Sequence, residues 1–292
     1  MNNKIKIAVL DMNDNKPNQG LKNIIEICEE FKSASKRKVS YKVFDVRYKC
    51  EIPRVRDYDI FISSGGPGNP HGDGKLWEDN FSNFLNNLWA HNQQKKKKKY
   101  AFLICHSFQM AVIHWGLALV NMRRSYSFGV LPIHKTEEGK KEFLFKNLPD
   151  PFFAIDSRSF QCIQPNEVAL LEMGAKIQTL EKIRPHVDLE RAIMSIRFSK
   201  EIFGTQFHPE ANPEGLLASL KNKEYRDAMI DTHGMEKFLQ TLDRIDDEDK
   251  IVLTRAQILP RFLKQSARRV MKTRKAEKTR KAEKEKRTEK AG

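Results

Sequence analysis

Cys105 lies in Leu103-Ile104-Cys105-His106-Ser107-Phe108-Gln109, where a buried-strand pattern breaks into a helix at the cysteine. That is the pattern of a nucleophile elbow. A thiol at a helix amino terminus meets free N–H groups and the positive end of the backbone dipole, which stabilise the thiolate. Much later, QFHPE at 206–210 follows the strand-like IFGT. Residues two apart on an extended chain face the same way, so His208 and Glu210 project together. Pro209 between them suits a strand end, where no ladder hydrogen bond is lost. Glu210 is then placed to orient the imidazole, and His208 to take a proton from Cys105. The third segment, SSGGPGNP at 63–70, ends another strand. Gly65, Gly66 and Gly68 permit backbone conformations closed to other residues and let N–H groups point into a site. Each segment alone has a plainer reading: an inert core cysteine, a pair of polar residues, a turn. All three fall at strand ends, and together they point to a cysteine nucleophile served by a histidine base.

The elements that must position them alternate along the chain. IKIAVLD, VSYKVFDV, YDIFISS and YAFLIC read as buried strands. Between and after them LKNIIEICEEF, LWEDNFSNFLNNLWAHN and HSFQMAVIHWGLAL carry helical period. This βαβ rhythm predicts an α/β fold with a doubly wound, mostly parallel sheet flanked by helices, whose ligands sit at the carboxyl ends of the strands. From about 127 to 207 the pattern changes to short strands: SFGVLPIH, EFLF, FFAIDS, AKIQTLE, RAIMSIRF and EIFGTQFH. A smaller mixed or antiparallel extension fits them. A short helix after Pro213 closes the domain near Leu220, and GMEKFLQTLDRI reads as an amphipathic helix. The expected divisions are 1–222 for the main domain, 223–253 for a helical extension and 254–292 for a basic tail.

Of the net charge of +15, residues 261–292 supply +10, with 14 Lys/Arg against 4 Glu. The segment from about 254 to the end contains tandem TRKAEK at 273–278 and 279–284 and almost nothing apolar after Met271, so it is expected to form a solvated helix or frayed tail that buries no core. Nonspecific polyanion binding is its expected capability. Lys95–Lys99 read as a solvated loop. Cys28, Cys50, Cys105 and Cys162 are scattered without metal-ligand spacing and read as reduced thiols, so no metal site is expected. No stretch approaches the roughly 20 apolar residues of a membrane helix, and the amino terminus reads as a strand, so a cytoplasmic protein with no membrane contact is expected.

On SGGPG, the elbow cysteine with Gln109 four residues later, and the terminal HPE, the chain resembles the class I, or triad-type, glutamine amidotransferases over about residues 5–220. That family includes the glutaminase portion of GMP synthetase. The resemblance implies a flavodoxin-like amidotransferase fold, no cofactor, and hydrolysis of glutamine to glutamate and ammonia through a cysteine thioester. It implies Cys105 as nucleophile, His208 as base and acid, and Glu210 as its orienting carboxylate. It also implies an oxyanion hole from the N–H groups of Gly66 and His106, and substrate contacts at Gly65, Gln109, Ser159 and Phe160. The chain departs from the family pattern at Leu103 and Ser107, where glycine is usual, and at Phe108, where histidine is frequent.

Arg158, within the substrate-contacting segment Asp156–Phe160, reads either as a carboxylate ligand or as a surface ion pair. No GxxxxGK[ST] loop is present, so the ammonia acceptor is expected on a partner synthetase, an acceptor subunit or a free substrate. The Cys105-His106 pair also resembles the DJ-1/PfpI-type hydrolases, a rival reading that leaves QFHPE and SGGPG unexplained. A γ-glutamyl hydrolase acting on peptide-like substrates and a catalytically silent binding module are two more readings the residues allow. His114 and His134 read as structural.

Overall fold

The computed structural model describes residues 4–16, 18–184, 189–221, 223–245, 247 and 250–289. Asn222, at the first expected boundary, and residues 290–292 of the basic segment lie outside them. The chain opens with β1 (Ile5–Asp11), α1 (Gln19–Ala34), β2 (Val39–Asp45), β3 (Ile60–Ser63), α2 (Leu76–Gln94), β4 (Tyr100–Ile104) and α3 (His106–His114). It continues through β5 (Ala118–Lys135), α4 (Glu137–Lys141), β6 (Phe152–Pro165), α5 (Glu167–Met173), β7 (Lys176–Leu180), β8 (Ile193–Arg197) and β9 (Ile202–Thr205). Four helices follow: α6 (Pro213–Lys221), α7 (Lys223–His233), α8 (Met235–Ile245) and α9 (Ile251–Glu289).

The strands form one sheet in the order β2-β1-β3-β4-β9-β8-β7-β5-β6. From β2 to β9 the pairs are parallel, and from β9 to β6 they are antiparallel. The doubly wound sheet and its mixed extension both stand as expected. β1, β3 and β4 are apolar almost throughout because helices cover both faces. Their alternate residues sort accordingly. Ala8, Leu10, Phe61 and Leu103 pack on one face with Trp77, Phe81 and Phe84 of α2 and with α3. Ile7, Val9, Ile62 and Phe102 pack on the other with Ile24 and Ile27 of α1.

Two boundaries differ from the sequence reading. EFLF is a single 3-10 turn at Phe143–Phe145, not a strand; Glu142 caps it through Leu144 N–H. α3 ends at His114, because Gly116 takes a left-handed φ of 62° and turns Ala118–Val120 into the start of β5.

The expectation that the segment from 254 buries no core is corrected. Ile258, Leu259, Phe262, Leu263, Ala267 and Val270 are all buried, in the same cluster as β1, β3 and α1. The Phe262 ring meets Phe102 edge-on at 5.2 Å. α9 is thus the second helix on the α1 face. Its cations misled because Lys264, Arg268, Lys272 and Lys275 recur at helical spacing on the exposed side and dominate the composition, hiding an apolar stripe of the same period. Arg274 fastens the helix further by pairing with Asp59 at 2.6 Å and donating to the Lys4 carbonyl at 2.9 Å. Among the described residues no helix is long and apolar enough to cross a membrane.

Phe262→Ala should therefore destabilise the whole protein by about 3–5 kcal/mol in urea unfolding. Removal of residues 275–292, whose Lys97–Glu277 pair is exposed, should change stability by less than about 1 kcal/mol. Equal, small effects from both changes would contradict the packing of α9.

Candidate functional site

The site lies at the carboxyl ends of β1, β3, β4 and β9, in a cavity of about 470 Å³ lined by Gly65, Gly66, Cys105, Gln109, Ser159 and His208 among others. Cys105 is the turn between β4 and α3, at φ 50° and ψ −102°. A non-glycine residue there is strained by about 1–3 kcal/mol, so the surroundings must enforce it. Cys105 N–H donates to the Thr205 carbonyl at 2.7 Å, and its carbonyl accepts from Gln109 N–H at 2.9 Å. Ser107 Oγ accepts from Ile104 N–H at 2.9 Å and lies 3.0 and 3.2 Å from the Ile104 and Ser63 carbonyls. Ser107 thus ties the elbow to the end of β3. Room for Phe108 comes from Gly204 on β9, where an added Cβ would lie 2.6 Å from Phe108 and 2.9 Å from Phe198.

β9 leads into the second segment. His208 N–H donates to the Ile155 carbonyl of β6 at 2.8 Å, which fixes the backbone beside the elbow. The imidazole Nδ1 lies 2.8 Å from Glu210 Oε1, and the ring lines the same cavity as Cys105. Cys105, His208 and Glu210 are thus brought to one cavity. Burial alone would lower the His208 pKa. The charges of Glu210 and Cys105 and their hydrogen bonds outweigh it and raise the pKa well above the usual imidazole value. Glu210 is itself buried, and it abuts the start of α1, where a Cβ on Gly20 would lie 3.0 Å from Oε1.

The glycine loop closes the site from above. A Cβ on Gly65 would lie 2.9 Å from His208 Cε1, and one on Gly66 would lie 2.2 Å from the Met12 carbonyl, so neither position accepts a side chain without movement. Gly68 has φ 103°. Arg47, missed in the sequence, reaches the Pro67 and Met12 carbonyls and stacks on Trp77 at 4.5 Å. Nothing in its local sequence marks it.

His106 turns elsewhere. Its ring lies 6.2 Å from Trp77, and Nε2 has no hydrogen-bond partner among the described residues. Burial, and then the charge of Arg47, push its pKa down to about 4. What His106 brings to the elbow is the first N–H of α3, which has no acceptor within the helix.

Gln109 lines the cavity, but its Nε2 is engaged with the Phe160 carbonyl at 3.3 Å and with Gln206 Oε1 at 3.0 Å. Ser159 is exposed at the cavity. The Phe160 side chain packs into the α2–α3 core, leaving its backbone toward the site. The surface ion-pair reading of Arg158 is corrected. It is 3% exposed, bonded to both Asp156 oxygens at 3.0 and 2.9 Å and paired with Glu181 at 3.3 Å. Arg123 and Arg184 join Glu181 at 3.2 and 2.7 Å. Burial would raise the Glu181 pKa, but these three arginines hold it below the carboxylate norm. This buried network ties β6 to the residue after β7, beneath Ser157–Phe160. Gln206, also missed, donates to Cys105 Sγ at 3.5 Å. Its position two residues before His208 on an extended segment was the available signal. Among the described residues no group of His, Cys, Asp and Glu could hold a metal ion.

The family model for glutamine amidotransferase class-I matches residues 27–225. Among solved structures, the fold is similar to a glutamine amidotransferase from Thermotoga maritima, with a TM-score of 0.63 at 14% identity, covering 90% of this chain and 98% of that one. It is also similar to a glutamine amido transferase from Methylobacillus flagellatus, with a TM-score of 0.60 at 13% identity and coverage of 94% and 96%. The glutaminase domain of Trypanosoma brucei CTPS with bound acivicin matches with a TM-score of 0.52 at 14% identity, over 70% of this chain and 86% of that one. No curated protein matches the chain.

Because the folded pKa of His208 lies above its unfolded value near 6.5, protonated His208 should stabilise the fold fully below about pH 6.5. That contribution should fade as pH rises through the folded value. Glu210→Gln should lower the midpoint of the His208 ring resonances in NMR titration and flatten the pH dependence of urea unfolding. An unmoved midpoint would contradict the charge pairing.

Proposed function

The chain belongs to the class-I glutamine amidotransferase family, and from that premise we propose that it hydrolyses glutamine to glutamate and ammonia at Cys105. The observation that carries the reading is the convergence of Cys105 with the hydrogen-bonded pair His208–Glu210 in one cavity. His208, which favours its protonated form, is the proton donor beside the attacking sulfur. Sγ attacks the side-chain amide carbon, and the N–H groups of Gly66 and His106 receive the developing oxyanion. His208 gives its proton to the departing nitrogen, ammonia leaves and a γ-glutamyl thioester remains. His208, now neutral, takes a proton from water, whose oxygen attacks the thioester; the proton then returns to the departing sulfur or remains on His208 beside the thiolate. Glutamate leaves and Cys105 is restored. Glu210 holds the ring through Nδ1, so the cycle runs on one imidazole face.

Gly65, Gln109, Ser159 and Phe160 line the same cavity and are the proposed substrate contacts. Because both hydrogens of Gln109 Nε2 are spent on the protein, its carbonyl oxygen is the group left to accept from the substrate ammonium. The ammonia acceptor is proposed on a partner synthetase or a free substrate. The scattered, unbridged cysteines suit a reducing, cytoplasmic setting. The catalytic unit is proposed as residues 1–222, with α9 completing its core. The DJ-1/PfpI-type reading is disfavoured because the His106 ring lies against Trp77, while His208 carries the orienting carboxylate of Glu210.

Release of glutamate and ammonia by the purified protein, alone and with cell extract, tests the assignment. Cys105→Ala should abolish turnover, and His208→Ala should lower it by orders of magnitude. Glu210→Gln should cost less, and His106→Ala should retain most activity because alanine keeps the N–H. An essential His106 with a dispensable His208 in folded protein would overturn the mechanism.

A second capability is proposed for the surface where α9 runs beside Lys95–Lys99, joined by the Lys97–Glu277 pair. Nonspecific polyanion binding there should weaken steeply between about 50 and 200 mM salt. In fluorescence anisotropy with a duplex oligonucleotide, removal of residues 275–292 should reduce it; sequence-selective binding that survives the removal would refute this assignment.

A further inference from the structure

Gln206 is fully buried, and its backbone is held by donation from its N–H to the Met194 carbonyl at 2.8 Å. Its side chain stands between two groups of the proposed site. On one side Gln109 Nε2 donates to Gln206 Oε1 at 3.0 Å; on the other Gln206 Nε2 donates to Cys105 Sγ at 3.5 Å. The direction of this relay is fixed by its far end. Gln109 Nε2 also reaches the Phe160 carbonyl at 3.3 Å, and a carbonyl only accepts, so the amide nitrogen of Gln109 must be the atom placed there. That leaves a donor facing Gln206, which must answer with its oxygen and turn its own NH₂ toward the sulfur. A run from Phe160 through Gln109 and Gln206 therefore ends in an N–H aimed at the nucleophile.

We propose that Gln206 is a positioning residue that holds Cys105 Sγ by an amide hydrogen bond and thereby favours the thiolate. The Ser157 carbonyl lies 3.7 Å from the same sulfur and can only accept, so among the amide groups of β6 and β9 at the thiol Gln206 is the donor. A hydrogen bond to sulfur is stronger when the sulfur is charged. The relay also couples the two roles of the site, because the residue proposed to receive the substrate ammonium, Gln109, sets the orientation of the amide at the thiol. This coupling rests on the glutaminase reading; the effect on the thiol does not. The other titratable groups facing Cys105 are His208 after β9, Tyr126 on β5 and Cys162 on β6, and they stay in place in the variants below.

The test is the rate of iodoacetamide alkylation of Cys105 against pH in the full chain, read by peptide mass spectrometry. Cys50, the half-buried thiol, is replaced by serine throughout, while Cys28 and Cys162 are buried. Gln206→Glu keeps the acceptor for Gln109 but puts a carboxylate oxygen at the sulfur; Gln206→Leu removes both bonds. In each, alkylation at pH 7 should fall about tenfold, the size of one lost hydrogen bond to a charged group. The rate–pH curve should move up by about one unit. Gln109→Leu, which releases the amide to flip, should give a smaller displacement in the same direction. If Gln206→Glu fails to fold, Gln206→Leu and Gln109→Leu decide. Folded variants whose curves superimpose on the parent would overturn the proposal. Displaced curves in a protein that does not turn over glutamine would uphold it and reject the proposed function instead.

Discussion

The parallel pairing of β4 with β9 is the constraint on which the site depends. It places Leu103 beside Gly204 and Ile104 beside Thr205, and it ends in the 2.7 Å hydrogen bond from Cys105 N–H to the Thr205 carbonyl. That bond lies just where the chain leaves β4 in a conformation costly to any residue with a side chain. The neighbouring strand thus holds the cysteine in the turn, and the same strand continues directly into Gln206, His208 and Glu210. A slip of one residue in this register would turn every side chain of the segment to the opposite face and send His208 into the core occupied by Phe207.

The altered elbow shows how volume and hydrogen bonding can be redistributed around a fixed backbone. The large Phe108 is accommodated by the missing side chain of Gly204, one strand away, and Ser107 spends its hydroxyl on the backbone of the turn itself. The glycine loop keeps the opposite solution, in which bare backbone approaches the imidazole. Close approach from above and tethering from below leave the thiol and imidazole little freedom, as preorganised acyl-transfer chemistry requires.

Charge is arranged by depth. Exposed lysines and arginines of α9 face solvent at helical spacing and leave the fold to the apolar stripe beneath them. The buried arginines around Glu181 are the reverse case. There each arginine reaches a carboxylate, and truncating one partner would strand another in a low-dielectric interior at a cost of about 3–5 kcal/mol. The beneficiary is the β6 backbone at Ser157–Phe160, whose carbonyls meet both Cys105 and Gln109.

The sequence by itself determined the alternation of strands and helices, the elbow at Cys105, the paired His208 and Glu210 and the glycines above them. All of these are written in local periodicity or in residues whose backbone freedom is unusual. It left open which histidine serves the thiol, since His106 and His208 are equally good imidazoles until one ring lies against Trp77 and the other pairs with Glu210. It could not show that Arg158 is buried among carboxylates, because Glu181 comes from a different strand end. It misjudged α9, since averaged composition hides a stripe that has meaning only against a sheet face needing cover. Arg47 escaped for the same reason: its partners are distant in the chain, and its hydrogen bonds leave no local trace. Only the tertiary structure brings those partners to one place.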